Sequence, residues 1–226
     1  MAGLYRAFEH YGGEHYSTPV GGLRTLALAD GSQVTLNTNT SLRVLLSETQ
    51  RRVVLEHGEA FFCVAKDPSR PFAVDVAGQS VIAVGTQFSV RRDVDDVQVV
   101  VTEGKVNLRQ ISDHSREAPT PLGEGAVALA HNAKVIVNRH SASDMQALLS
   151  WRSGFLSFHD TPLSEAVAEF NRYNTRKIVI ADASIANIRV GGNFRPNNAD
   201  TFLWLLEKGF PVEVQWNSQQ IVLSRH

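Results

Sequence analysis

The side chains that could hold a metal ion lie scattered along the sequence. Histidine occurs at positions 10, 15, 57, 114, 131, 140, 159 and 226. None of these histidines forms an HxH or HExxH pattern, and none lies at ligand spacing from Cys63, the only cysteine. Asp93, Asp95 and Asp96 lie close together, but the glycine and the distal glutamate of a calcium-binding loop are missing. The sequence therefore predicts no metal site and no other cofactor.

Three neighbouring residues, Ser157, His159 and Asp160, have the side chains of a nucleophilic triad. On a strand, Ser157 and His159 would point to the same face, because side chains alternate. A triad, however, is assembled in space and needs an oxyanion hole, and the G-x-S-x-G elbow of hydrolases is missing. Gly104-Lys105 lacks the upstream glycine of a phosphate-binding loop. We therefore predict that the protein is not an enzyme.

The thiol of Cys63 lies in the apolar run Phe61-Phe62-Cys63-Val64. Free cysteine is among the most buried residue types, and a single cysteine cannot form a disulfide within one chain. We therefore expect Cys63 to be a small buried core residue rather than a reactive thiol.

The first part of the chain alternates between apolar and polar side chains, which is the pattern of half-buried strands. Residues 72–76, 82–90 and 97–101 are the clearest examples. The runs stop at turn signals at 57–58, 67–71, 77–79, 93–96 and 103–105. This spacing is typical of an all-β sandwich or barrel-like sheet. We place a mainly β domain at residues 22–150, after a linker or juxtamembrane arm at 1–21.

A weak internal echo leaves a second architecture open for this domain. Residues 55–62, 101–108 and 122–129 each combine an apolar residue, a Glu/Gly turn and an alternating strand. A repeated unit of this kind would indicate a solenoid-like β stack. The spacings are unequal, so a chance recurrence in a sandwich explains the echo equally well.

After about Ser150 the period of the apolar residues changes from two to that of a helix. Thr161 is a good N-cap with Pro162 at the first helical position, and the apolar residues from Leu163 to Phe170 recur at i, i+3, i+4 and i+7. Asn198 or Asp200 caps a second helix. With the intervening strands, the order is β-α-β and then β-α-β-β. Residues 151–226 are therefore predicted to form a small α+β domain of two tandem βαβ units.

Composition and charge exclude several classes of partner. The formal net charge of the 226 residues is -1, whereas a nucleic-acid-binding protein needs a basic stripe. No apolar run approaches the roughly 20 residues that a membrane helix needs, and the N-terminus does not read as a signal peptide. We therefore expect no nucleic-acid partner, and contact with a membrane only through a segment outside this sequence.

Four ordered motifs mark the β region. They are Leu26–Leu36 (LALADGSQVTL), Gly58–Pro71 (GEAFFCVAKDPSRP), Val84–Val90 (VGTQFSV) and Val101–Val106 (VTEGKV). These motifs resemble the extracytoplasmic domain of FecR-type transmembrane anti-sigma regulators. Trp151–Asn174 is also similar to the segment that follows the β domain in that family, and the C-terminal part resembles the small STN-type domain of secretins and signalling TonB-dependent transporters.

The resemblance implies a role in signal transduction. It implies the periplasmic region of a FecR-type regulator, which binds the signalling domain of an outer-membrane TonB-dependent siderophore transporter. Such a regulator relays the signal to a cytoplasmic sigma factor. The cytoplasmic sigma-binding domain and the membrane helix of the family are missing from this sequence, so we expect the chain to begin just after that helix.

Two other classes of protein stay open at this point. One is a structural assembly domain of a secretion or envelope complex, which a following secretin barrel would indicate. The other is a carbohydrate-binding β-sandwich, which would expose aromatic side chains. Phe61, Phe62, Phe72 and Phe88 lie in apolar runs and are expected in the core instead.

For the partner, we predict docking on the αβ domain by strand pairing. The segment from Ile188 to Phe194 and the closing strand from Gln220 to Ser224 are expected at sheet ends, where N–H and C=O groups are unpaired. The candidate contact residues are Ile188, Arg189, Val190, Phe194, Gln220 and Val222. The pair Gly191-Gly192 is interpreted as a bulge or bend. Alternatively, the apolar residues of both strands belong to the core and the partner docks elsewhere.

Overall fold

The chain divides into two compact units. The computed structural model describes residues 13–94, 96–111, 118–131 and 134–226. The β unit comprises the described part of residues 1–17 together with 25–36 and 40–139, and the αβ unit comprises 18–24, 37–39 and 140–226. Most of the expected arm lies outside the described residues, as do His10, Asp95, His114 and residues 132–133.

The β unit is built from strands that are joined by short turns. In chain order they are β1 (Glu14–Ser17), β2 (Arg24–Ala27), β3 (Gln33–Leu36), β4 (Ser41–Leu46), β5 (Arg51–Cys63), β6 (Phe72–Val76), β7 (Gln79–Ala83), β8 (Gln87–Asp93), β9 (Asp96–Glu103), β10 (Lys105–Gln110), β11 (Thr120–Gly123), β12 (Ala126–His131) and β13 (Lys134–Arg139). The prediction of a mainly β domain is confirmed. Residues 14–17, which we expected in a linker arm, form a strand because their backbone pairs with β4.

The strands form two sheets that share β5. The first sheet has the order β1-β4-β5-β6-β7-β10-β11, and the second has the order β2-β3-β5-β8-β9-β12-β13. The pairs are antiparallel except for β5 with β6. Apolar side chains from both sheets form one core, as in a sandwich.

The long strand β5 bends from one sheet into the other. The sequence predicted a turn at His57-Gly58, but β5 runs from Arg51 to Cys63 without a break. The register with β4 shifts between Ser41 and Leu42, and Gly58 has a φ of 88°. A bulge with glycine in the left-handed region bends a strand without ending it, which is why the turn prediction was wrong.

The internal echo has a physical meaning in this architecture. Gly104 and Gly125, at the other two copies of the echo, each have a φ of 79°. Gly104 lies where the chain passes from β9 in the second sheet to β10 in the first, and Gly125 where it returns from β11 to β12. The echo therefore marks corners between two sheets rather than layers of a solenoid.

The aromatic residues of the β core are buried as expected, but Cys63 is not. The ring centroid of Phe62 lies 5.2 Å from that of Phe88 and 6.1 Å from that of Phe72. Cys63 is exposed, so the expectation of a buried thiol is wrong. Cys63 is the last residue of β5, and its register partners on both sides are glutamines, Gln33 and Gln87. The side chain of Cys63 therefore points away from the core, whereas its neighbours Phe62 and Val64 are buried in it.

A buried arginine ties β5 to the loop that follows it. The side chain of Arg51 is 1% exposed and forms an ion pair with Asp30, at 3.2 Å. Its guanidinium also donates to the carbonyl oxygens of Ala65 (2.8 Å), Asp67 (3.2 Å) and Arg70 (2.6 Å). A buried charge is tolerated only when its donors are satisfied. Arg51 therefore has a structural role, because it holds residues 65–70 of the GEAFFCVAKDPSRP motif against β5.

The αβ unit has the order of elements that the sequence predicted. They are α1 (Ala142–Leu148), β14 (Leu156–Pro162), α2 (Leu163–Tyr173), β15 (Lys177–Ile180), β16 (Arg189–Phe194), α3 (Ala199–Gly209), β17 (Val212–Trp216) and β18 (Gln220–Arg225). Asn198, rather than Asp200, caps α3. Helix α2 begins one residue later than expected, because Pro162 still pairs with Arg189 as part of β14.

The pairing of these strands differs from two tandem βαβ units. Strand β14 pairs antiparallel with β16, while β15 pairs parallel with β18 and β18 pairs antiparallel with β17. The two strands that flank α2 therefore lie in different sheets, and each pairs with a strand from the second half of the unit. Strand pairing is a long-range choice that the order of elements does not specify, so this detail of the prediction was wrong.

Two short segments from the first part of the chain belong to the αβ unit. Asn37 donates from Nδ2 to the hydroxyl of Tyr173 at 2.8 Å, and Thr38 donates from Oγ1 to the carbonyl of Arg172 at 3.1 Å. The backbone N–H of Gly21 donates to the same Thr38 hydroxyl at 2.7 Å. The bonds from Asn37 and Thr38 satisfy polar groups in the last turn of α2, where helix carbonyls lack intrahelical partners.

Among the helices that the structure describes, none is long and apolar enough to cross a membrane.

Candidate docking surfaces

The three residues with triad-like side chains do not converge. The backbone N–H of Ser157 donates to Ser150 Oγ at 3.0 Å, and that of His159 donates to Thr161 Oγ1 at 3.2 Å. Asp160 has a φ of 51°, and the register of β14 against β16 shifts at this point. These contacts form a β-bulge. Within the described ranges, no three His, Cys, Asp or Glu side chains form a group that could hold a metal ion.

Strand β16 presents an open edge of the αβ unit. It pairs with β14 on one side, and no other described strand pairs with it. Just before the strand begins, the carbonyl of Ile188 accepts a hydrogen bond from the backbone N–H of Leu163 at 2.8 Å. An unpaired edge offers N–H and C=O groups that a partner strand can satisfy. The segment from Ile188 to Phe194 therefore lies at a sheet edge as expected, and docking of a partner there stays a prediction.

The side chains on β16 divide between core and solvent. Val190 is buried, and Phe194 packs with its ring centroid 5.2 Å from that of Phe202. Ile188 is half-buried, whereas Arg189 is exposed and donates to the carbonyl of Asp160 at 2.9 Å. Of the four candidates on this segment, Arg189 alone has an exposed side chain. The partner-binding role of all four stays a prediction.

A cluster of four phenylalanines holds β16 in place. Phe158 of β14, Phe170 of α2, Phe194 of β16 and Phe202 of α3 lie with ring centroids 4.6 to 6.2 Å apart. Such spacings are favourable for aromatic pairs. The cluster therefore makes β16 a strand with a rigid inner face and a free outer edge.

The most accessible part of this edge was not among the predicted contact residues. Gly191, Gly192 and Asn193 are all exposed. A Cβ at Gly191 would meet the carbonyl oxygen of Phe158 at an ordinary 3.6 Å, whereas Gly192 has a φ of 134° and needs glycine. The pair Gly191-Gly192 could have indicated this accessible edge, because glycine in a strand often marks the close approach of another backbone.

The second predicted segment lies in the middle of its sheet. β18 is paired with β15 on one side and with β17 on the other. The expectation that the closing strand lies at a sheet end is therefore wrong, and a further strand cannot pair with it. Gln220 is exposed and Val222 half-buried on this central strand, so only their side chains are accessible. β17 and β18 form a hairpin, and β15 pairs in parallel with the side of β18 that the hairpin leaves open.

Helix α3 carries exposed apolar side chains beside its buried face. Phe202, Leu203 and Leu206 are buried, whereas Trp204 is 57% exposed and Leu205 is 44% exposed. Exposed tryptophan is enriched in protein–protein interfaces. Periodicity alone does not distinguish such a residue from a core residue.

Asp182 lies in the segment that leads into β16, and its carboxylate is hydrogen-bonded. The backbone N–H of Ser184, which donates to Asp182 at 2.8 Å, and the Ser184 hydroxyl hold the pKa of Asp182 below its usual value. This bond caps the short 3-10 turn at Ala183–Ile185 that leads into β16. The carboxylate therefore has a structural partner and is not poised for proton transfer.

Two family models match the chain, one in each unit. Residues 14–107 match the model described as FecR protein, and residues 155–223 match the model described as FecR, C-terminal. Together the two segments span well over half of the sequence. A comparison with curated proteins returns no match.

Two solved structures share the fold of the whole chain. Both are crystal structures of a candidate anti-sigma factor from Parabacteroides distasonis ATCC 8503, at 1.65 and 2.50 Å resolution. Their TM-scores are 0.77 and 0.75, and their sequence identities are 23% and 24%. Each match covers 94% of this chain and 99% of the other. At this level of identity, the similarity establishes the fold.

Proposed function

We propose that this chain, which belongs to the FecR family in both of its units, is the signal-receiving region of a non-enzymatic anti-sigma regulator. Its partner is the signalling domain of an outer-membrane TonB-dependent siderophore transporter. The region works in the periplasm, behind a single membrane helix, and relays the signal to a cytoplasmic sigma factor. The succession of a FecR domain and a FecR C-terminal domain supports this assignment.

The αβ unit, which we take to be STN-like, is the docking module of this proposal. The observation that carries it is the open edge of β16 with its exposed Gly191, Gly192 and Asn193. A strand of the transporter's signalling domain adds to this edge, each backbone hydrogen bond contributing roughly 1 kcal/mol net. The missing side chains at Gly191 and Gly192 let the partner backbone approach closely.

The β unit serves as a rigid support in this proposal. Its core is shared by two sheets, and the buried Arg51 locks the loop at residues 65–70 onto β5. Docking at the αβ unit changes the stability or exposure of the regulator, and regulated proteolysis then frees the sigma factor. The formal net charge of -1 makes long-range electrostatic steering a minor contribution to docking.

The test is a pull-down with the chain as bait against solubilised outer membrane of the source organism, followed by mass spectrometry. We expect the wild-type chain to recover a TonB-dependent transporter. Gly191→Asp places a charge on the open edge at a position where a Cβ fits. This variant should lose roughly tenfold or more of the recovery, as expected for the centre of an interface.

Gln220→Asp is the matched control, because it adds the same charge on a strand that is already paired on both sides. It should recover as much transporter as the wild-type chain. Equal recovery by both variants would show that strand addition at β16 is wrong. Recovery of a secretion-complex subunit in place of a transporter would favour a structural assembly domain.

A further inference from the structure

Strand β13 is an unprotected edge of the β unit. Within the described residues it pairs with β12 alone, over six consecutive residues and without a bulge. Its central residues are Val135, Ile136 and Val137, and it contains no proline. Natural proteins usually shield such an edge with short strands, proline, bulges or central charges. β13 has none of these in its middle.

The other edges of the two sheets are shielded in the usual ways. β11, at the end of the first sheet, is four residues long and contains Pro121, which has no N–H to offer. β1 and β2 are also only four residues long. The contrast within one unit indicates that the edge of β13 is kept open.

The strand is apolar on both of its faces. Ile136 is 61% exposed and lies directly opposite Leu129 of β12, which is 45% exposed, so the two form a continuous apolar row. Val137 points to the other face and is 42% exposed, although its neighbour Val135 packs against the core. An edge strand with apolar residues on both faces gains most when a neighbouring strand covers them.

Positive charges flank this apolar centre. Lys134 and Arg139 lie at the two ends of β13, both exposed, and His140 follows. No acidic residue occurs between positions 134 and 140. Lys134 lies opposite His131 of β12, and His131 lies opposite Asp96 of β9. Asp96 is the nearest carboxylate across these strands, and it already pairs with His131 at 2.5 Å. Among the described contacts, no carboxylate neutralises Lys134 or Arg139.

The charges also decide what can pair with the strand. A second copy that paired antiparallel over the whole strand would place Lys134 opposite Arg139 at both ends, and like charges directly opposite are destabilising. We propose that β13 binds an extended segment of another protein, apolar in its middle and acidic at both ends, by strand addition. This surface belongs to the β unit and does not depend on the docking mode of the αβ unit.

The experiment titrates the isotope-labelled full chain with a synthetic peptide and follows the backbone amide signals by NMR. The probe is acetyl-Glu-Val-Thr-Val-Thr-Glu-amide, whose acidic ends meet Lys134 and Arg139 in either strand direction. The control peptide has lysine at both ends. We expect saturable shifts on β13 and β12, an affinity roughly tenfold or more higher for the acidic peptide, and weaker binding at high salt.

Variants of the chain complete the test. Ile136→Lys and Val137→Lys change exposed side chains, so the fold is kept, and they should abolish the shifts. Val94→Lys is the matched control, because Val94 is 84% exposed in the same unit but lies in the turn between β8 and β9. It should bind as the wild-type chain does.

Four results would overturn the proposal. The first is the absence of saturable shifts on β13 at millimolar peptide. The second is equal affinity for the lysine-ended peptide, and the third is unchanged binding by Val137→Lys. The fourth is self-association in sedimentation that Ile136→Lys abolishes, since the occupant would then be a second copy of this chain.

Discussion

The β unit and the αβ unit differ in the number of strands in their sheets. In the β unit, each sheet has seven strands and both contain β5, so most strands are paired on both sides. In the αβ unit, the sheets have two and three strands, so edges make up most of the strands. A wide sheet satisfies its own backbone, whereas a narrow one leaves donors and acceptors for a partner. The αβ unit therefore has the larger share of unpaired strand edges.

The two units also differ in what fills the core. The β unit has a largely aliphatic core that also contains three phenylalanines and is accompanied by a buried Arg51–Asp30 pair, whereas four phenylalanines form the centre of the αβ unit. All three tryptophans, at 151, 204 and 216, lie in the αβ unit. Tryptophan fluorescence therefore reports unfolding of the αβ unit alone, and a far-UV circular dichroism transition without a matching change in fluorescence reports unfolding of the β unit.

The largest effect should come from the aromatic cluster of the αβ unit. Phe170→Ala removes a fully buried ring whose centroid lies 4.6 Å from that of Phe202, which should cost roughly 3–5 kcal/mol. The fluorescence transition in urea should move to much lower denaturant. Phe210→Ala, at a position 38% exposed, is the control and should move it little. An unchanged fluorescence transition in Phe170→Ala would refute the aromatic cluster as the core.

A comparable loss is expected in the β unit when its buried charge pair is broken. Arg51→Ala leaves Asp30 and three carbonyl oxygens buried without their donor, which should cost roughly 3–5 kcal/mol. The circular dichroism transition should move. Arg43→Ala, on the neighbouring strand β4, removes a side chain that is 40% exposed from its pair with the 32% exposed Glu56 and should cost about 1 kcal/mol or less. Equal losses in the two variants would argue against a special role of Arg51.

A smaller effect tests the division of the chain itself. Tyr173→Phe removes the hydroxyl that accepts from Asn37, at a cost of about 1 kcal/mol. Since Asn37 belongs to the αβ unit, the fluorescence transition should move, and a fragment of residues 140–226 should be less stable than the unit in the whole chain. Tyr16→Phe, in the β unit, should leave fluorescence unchanged. A fully stable fragment would show that segments 18–24 and 37–39 are dispensable.

The smallest effect concerns acid sensitivity of the β unit. The hydroxyl of Ser69, and then the guanidinium of Arg70, lower the pKa of Asp67 from 3.8 to about 2. A lowered pKa stabilises the fold above pH 3.8, and this contribution is lost as the pH falls towards 2. Ser69→Ala should raise the pKa and flatten the fall in the circular dichroism midpoint across this window. A wild-type slope in Ser69→Ala would contradict the assignment.

Local patterns in the sequence were sufficient for the type and order of the elements. Alternation predicted the strands around Phe72 and Val99, and the i, i+3, i+4 spacing after Leu163 predicted α2, because these periods follow from the geometry of one strand or one helix. The motifs of the β region and the tail from Trp151 also predicted the family. On β16, the sequence predicted the segment from Ile188 to Phe194 but not the exposure of Gly191.

Only the tertiary structure decided which strands pair and where the chain turns. Gly58 was expected in a turn but bends β5 between two sheets, and β18 was expected at a sheet end but lies between β15 and β17. Cys63 was expected in the core, but its side chain is exposed between two buried neighbours. Each outcome depends on backbone hydrogen bonds between residues that are distant in sequence. A local period determines which face of a strand is apolar, but the edges that stay open are decided by the pairing of the whole sheet.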